Sequence, residues 1–162
     1  MSPDKLQVME SEKDIDYSAF DAEARIKAIK DNIHQRMLDF FKDDGHHPAL
    51  FGFFQTAEKI MLSGNAKRLR CIIPVLIADH FEMSEQDCLN YGIIVEMVHY
   101  TSLTHDDVID QDMYRRGCET LNNNFSNSQA ILLGDYILCM ALQKCQKFTH
   151  NQQVTNMVVR MV

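Results

Sequence analysis

The stretch HDDVIDQDMYRRG, His105 to Gly117, sets the carboxylates of Asp106, Asp107 and Asp110 and two adjacent guanidinium groups within a few helical turns. On a helix Asp106 and Asp110 stand at i and i+4, about 6 Å apart on one face, with Asp107 turned roughly 100° away. Bare, three like charges repel and raise one another's pKa, so the arrangement favours a divalent cation such as Mg²⁺, which also holds substrate phosphate. Asp106 and Asp110 are therefore the expected metal ligands, and Asp107 a carboxylate reached through solvent. Arg115 and Arg116 bring forked donors shaped for phosphate oxygens.

Working outward, EMVHYTSLTHDD (Glu96 to Asp107) puts His99 seven residues before Asp106, two turns away on nearly the same face. Upstream, KRLR places Lys67 and Arg70 three apart. Helical periodicity surrounds these motifs. Ala24, Ile29, Ile33, Met37 and Phe40 or Phe41 predict a long amphipathic helix, with starts offered from Asp16 to Asp21 and a stop at Asp43 to Gly45. A second helix is expected from about Pro48, a third over Cys71 to Phe81, a fourth from a Ser84 cap supported by Asp87 towards Asp112, and a fifth from Ser128 to Phe148. NNNFSNS (Asn122 to Ser128) reads as a loop. No strand-like alternation or hairpin dipeptide competes, so the expected fold is all-α, with the aspartates near a helix C-terminus, where their charge opposes the dipole and again favours a cation.

Taken together, KRLR, EMVHYTSLTHDD and DDVIDQDMYRRG resemble the trans-isoprenyl diphosphate synthases, or polyprenyl synthetases. DDVIDQDMYRRG fills every fixed position of that family's first aspartate-rich motif, DDxxDxxxxRRG, and KRLR partly matches a GGKRxRP signature. AILLGDYILCMAL (Ala130 to Leu142) resembles its small-apolar Gly-Asp helix. The likeness runs over roughly residues 47 to 145 in order and spacing.

The resemblance implies an isoprenoid-synthase-like helical bundle and a prenyltransferase. An allylic diphosphate ionises with Mg²⁺, isopentenyl diphosphate attacks the carbocation, and a proton is lost. It implies Asp106 and Asp110 as metal ligands, Arg115 on the allylic diphosphate, and Lys67, Arg70, His99 and Arg116 on isopentenyl diphosphate, with Asp106, Asp110 and Arg115 the catalytic set. Small Thr101 and Ser102 before the aspartates imply a tunnel open to products longer than three isoprene units, unless Tyr100 closes it. A homodimer or heteromer through helices is also implied.

The chain departs from the pattern at three places. Asn65 and Ala66 stand where the family has paired glycines, and Cys71 where it has proline, with Pro74 a substitute first-turn proline. No second aspartate-rich motif precedes Val162, and QVTNMVVRMV reads as the opening of a helix. The expectation is therefore a flexible acidic segment over 1–16 and, over 17–162, the N-terminal half of a synthase domain, without turnover of its own.

Composition bounds the alternatives. Net charge of −7 argues against a nucleic-acid surface, and 46% hydrophobic content supports a core. Five cysteines without a CxxC pair, and no leader or spanning run, suggest a cytoplasmic protein with at most peripheral membrane contact. Two other functions remain open: a non-catalytic or regulatory subunit of a synthase, and an HD-type phosphohydrolase using His105, Asp106, His80 and Asp135. The second would release phosphate from nucleotides, and it leaves Asp110, Arg115, Arg116 and KRLR without a role.

Overall fold

Asp21 begins the first helix by accepting a hydrogen bond from the backbone N–H of Ala24 at 2.9 Å, which satisfies one orphan donor of the opening turn. The structure, a computed structural model, describes residues 21–42, 51–63, 66–78, 82–148, 156–157 and 159–160. Helix α1 (Ala22–Lys42) turns Ile29, Ile33, Met37, Phe40 and Phe41 inward, the stripe its periodicity predicts. Helices α2 (Phe51–Leu62), α3 (Leu69–Ile77), α4 (Glu85–Asp110), α5 (Leu121–Asn124) and α6 (Asn127–Phe148) follow.

Helix α4 runs through the middle. Its Ser84 cap accepts from Asp87 N–H at 3.0 Å and donates its hydroxyl to the Asp87 carboxylate at 2.7 Å, so both ends of the cap are satisfied. Cys88, Leu89, Ile93, Ile94, Met97, Val98, Thr101 and Thr104 are buried around much of its circumference, because α3 and α6 both pack on it. Two glycines permit that closeness. A side chain at Gly92 would meet the Cα of Cys71 at 2.8 Å, and one at Gly134 would meet His105 at 2.8 Å. Ile33, Met37, Ile94, Met97 and Ile137 are fully buried at the centre, and Phe54 closes the α2 side against Phe41 and Tyr136.

Three sequence expectations are corrected. Helix α3 starts at Leu69, so Pro74 lies inside it and not in its first turn. Helix α4 stops at Asp110, where Gln111 turns left-handed (φ 58). The segment expected as loop, Asn122 to Ser128, holds most of α5 and the first residues of α6. The all-α expectation holds, with one local addition: strands β1 (Tyr114–Arg115) and β2 (Cys118–Glu119) pair antiparallel, Tyr114 opposite Glu119 and Arg115 opposite Cys118. Arg116 (φ 54) and Gly117 (φ 83) make the turn, both in the positive-φ region that matches the strand twist of a two-residue hairpin. The expected N-terminal segment 1–16, the stop at Asp43 to Gly45, the Pro48 start, Asn65, His80 and most of QVTNMVVRMV lie outside the described residues. Among the described residues no helix is long and apolar enough to cross a membrane.

Candidate functional site

The last turns of α4 sort the three aspartates by direction. Asp106 and Asp110 are exposed on one face, as their spacing requires, while Asp107 is buried on another. Asp107 accepts from Arg115 Nε of the hairpin, and Arg115 also reaches Asp112 at 3.3 Å. The middle carboxylate is thus the anchor of an arginine. Burial pushes the Asp107 carboxyl above its ordinary pKa, more than Arg115 pulls it down, whereas the hydrogen bond to Asp107 raises Arg115 further. Thr120 Oγ1 and Asn122 Nδ2 donate to the Asp112 carbonyl at 2.8 and 2.9 Å, tying α5 and the hairpin to the end of α4.

The hairpin turn sends its two arginines different ways. Arg115 lines an inner crevice of about 60 Å³ together with Tyr100, Leu103, Thr104 and Asp107. Arg116 also borders an outer cleft of about 250 Å³, lined by Lys67, Arg68, Leu69, Arg70, Glu96 and His99. The cations that the sequence singled out from three separate segments therefore share one cleft. Burial, then the charge of Arg70, lower the His99 pKa, which favours the neutral imidazole at pH 7.

Two residues of that cleft were not anticipated. Arg68 turns inward and donates to Glu96 at 3.0 Å, with side chains only 13% and 6% exposed. Their sole sequence signal was membership of KRLR and of EMVHYTSLTHDD, in which neither carried an expected role. The inner crevice and outer cleft share Arg68, Glu96, His99 and Arg116 as a common wall.

Thr101 and Ser102 do not line either space. Thr101 is buried and donates to the Gly134 carbonyl at 3.2 Å, while Ser102 is exposed and donates to the His99 carbonyl at 2.8 Å. Tyr100 does line the inner crevice. His105 lies 3.2 Å from Asp135, and among the described residues no three His, Cys, Asp or Glu side chains gather as a metal site; His80, the remaining residue of the phosphohydrolase reading, lies outside them. The exposed pair Asp106 and Asp110 does fit Mg²⁺ by donor chemistry, since that ion takes one or two carboxylates and fills its other positions with water and phosphate oxygens.

A family model described as polyprenyl synthetase matches residues 53–162. Octaprenyl diphosphate synthase of Haemophilus influenzae is 37% identical over 111 residues, covering 68% of this chain and 32% of the relative. Farnesyl diphosphate synthase of Micrococcus luteus is 38% identical over 100 residues, covering 60% of this chain and 34% of the relative. Among solved structures, geranylgeranyl pyrophosphate synthetase of the archaeon Geoglobus acetivorans superposes with a TM-score of 0.71 at 26% identity, over 84% of this chain and 43% of that one. The chain thus spans about a third of the length of these curated relatives.

Proposed function

Because this chain belongs to the polyprenyl synthetase family, we propose that it carries the diphosphate-handling half of a prenyltransferase site, for condensing an allylic prenyl diphosphate with isopentenyl diphosphate into a trans-polyprenyl diphosphate. The observation that carries this reading is the convergence of Lys67, Arg70, His99 and Arg116 on one cleft, with Asp106 and Asp110 exposed together on α4, about two turns and more beyond His99. Four basic side chains around about 250 Å³ suit a diphosphate group rather than a neutral ligand.

Asp106 and Asp110 would hold Mg²⁺, which when bound offsets charge developing on a departing diphosphate. Arg115, aimed by Asp107 and Asp112, binds the allylic diphosphate from the inner side. Lys67, Arg70, His99 and Arg116 hold isopentenyl diphosphate across the shared wall. Keeping the two anions in adjacent spaces limits their repulsion and brings their carbon ends near one another, where positioning supplies much of the rate.

Calorimetry with an allylic diphosphate tests this. Uptake should depend on Mg²⁺ and be lost in Asp106→Ala/Asp110→Ala, whose exposed positions leave the fold intact. Mg²⁺-dependent uptake that persists in that variant removes the proposal.

A second reading is a non-catalytic or regulatory subunit of a synthase assembly. Elongation of an allylic diphosphate by the purified 162-residue chain would exclude it.

A further inference from the structure

Within KRLR, Arg68 differs from its neighbours. Its backbone is left-handed (φ 55, ψ 30) at the residue before α3, a conformation in which the Cβ of an L-residue crowds the following carbonyl. Its side chain offsets that strain through two anchors: Nη1 donates to Glu96 Oε1 at 3.0 Å, and Nη2 donates to the Met61 carbonyl at the end of α2. Its own carbonyl accepts from Cys71 and Ile72 N–H, each at 3.0 Å, which starts α3. The reversal at Arg68 leaves Lys67 and Arg70 exposed along the outer cleft while Arg68 itself points inward.

Glu96 is harder to explain by stability. Its side chain is 6% exposed, and its second oxygen, Oε2, is buried without a hydrogen-bond partner. A buried ion pair pays heavily in desolvation, and apolar residues of similar volume often serve a fold as well or better. Nor does its charge help an anion site, since Glu96 is the one carboxylate among the described residues lining a cleft of four Lys, Arg and His neighbours and Arg68. What Glu96 supplies is a fixed acceptor for Arg68.

We propose that Arg68 and Glu96 are positioning residues for the outer cleft: their buried pair holds the left-handed turn that sets Lys67 and Arg70 beside His99 and Arg116. The inference rests on the reading of that cleft as a diphosphate site.

The test is a calorimetric titration with inorganic diphosphate, without metal, alongside the thermal midpoint of each variant. Glu96→Gln keeps the acceptor and removes the charge, so it should bind as tightly as the parent chain or more tightly. Arg68→Met/Glu96→Leu fills the same volume without the pair, and should bind about tenfold more weakly at a similar midpoint. Arg68→Lys keeps the charge but loses the fork that reaches both anchors, and should weaken binding several-fold. Parental affinity in either Arg68 variant overturns the inference. So does a loss in Glu96→Gln equal to that of the double variant, because charge and not geometry would then be the contribution. All of these outcomes leave the diphosphate reading standing, whereas absence of binding by the parent chain removes both.

Discussion

Arg115 donates its Nε hydrogen to the buried carboxylate of Asp107, eight residues earlier, and its Nη2 lies 3.3 Å from Asp112. The link fastens the hairpin to the end of α4 and fixes where the first arginine of the RRG motif points. It also divides an acidic cluster that reads as one unit into two parts: an exposed pair open to a cation and a buried carboxylate already bound to an arginine.

That division has a pH signature. The folded pKa of Asp107 is raised above 3.8, chiefly by burial, so the folded state binds its proton more tightly than the unfolded chain does. The stability this group contributes is therefore full below 3.8 and is lost as pH rises through the folded value. Urea melts of the parent chain and Asp107→Asn should show the parent losing stability relative to the variant across that window. A constant difference over the same range would contradict the assignment.

His99 titrates in the opposite functional sense. Burial and Arg70 hold its pKa below the ordinary 6.5, and a bound anion favours the imidazolium. Diphosphate affinity should therefore rise by about tenfold as pH falls below neutrality, beyond any change intrinsic to the ligand. In His99→Gln that increment should vanish, as measured by the ratio of parent to variant dissociation constants at each pH.

The two close-packed glycines should respond unequally to alanine. At Gly92 the new carbon would stand 2.8 Å from the Cα of Cys71, so α3 and α4 must separate, at a cost of about 2–3 kcal/mol. At Gly134 the obstacle is the ring of His105, which can swing away, and the gain in helix propensity of about 1 kcal/mol offsets much of the strain. Thermal melts should thus show a large drop for Gly92→Ala and a small one for Gly134→Ala.

Thiol labelling offers an independent check on the packing. Burial pushes the Cys71 thiol up to about 12, while Cys139 is exposed. A disulfide reagent at neutral pH should modify Cys139 first and Cys71 only as the chain unfolds, since Cys71 carries about a thousandfold less thiolate than an ordinary thiol. Prompt modification of Cys71 in the native chain would show that α3 is not seated on α4 as described.

Helix positions were largely legible in the residues because their signals are local. Ser84 and Asp87 form a cap within one turn, and Ile29, Ile33 and Met37 recur at helical spacing on one buried face. The hairpin was not legible. Its paired strands are too short to show alternation, and one of its two positive-φ positions is held by Arg116 and not by the asparagine, aspartate or glycine that usually marks such a turn. Arg68 was not legible for a related reason: in KRLR it is one of three cations within four residues, and only a left-handed residue turns it away from the others.

By itself the sequence determined the helices, the family and the shared face of Asp106 and Asp110, since each depends on spacing along one continuous stretch of backbone. Only the tertiary structure decided that Asp107 holds Arg115, that Glu96 holds Arg68, and that Lys67, Arg70, His99 and Arg116 border one cleft. Those relationships depend on how closely α3 and the hairpin approach α4, which is set by a missing side chain at Gly92 and by the burial cost of unpaired charge, and neither acts until distant segments meet.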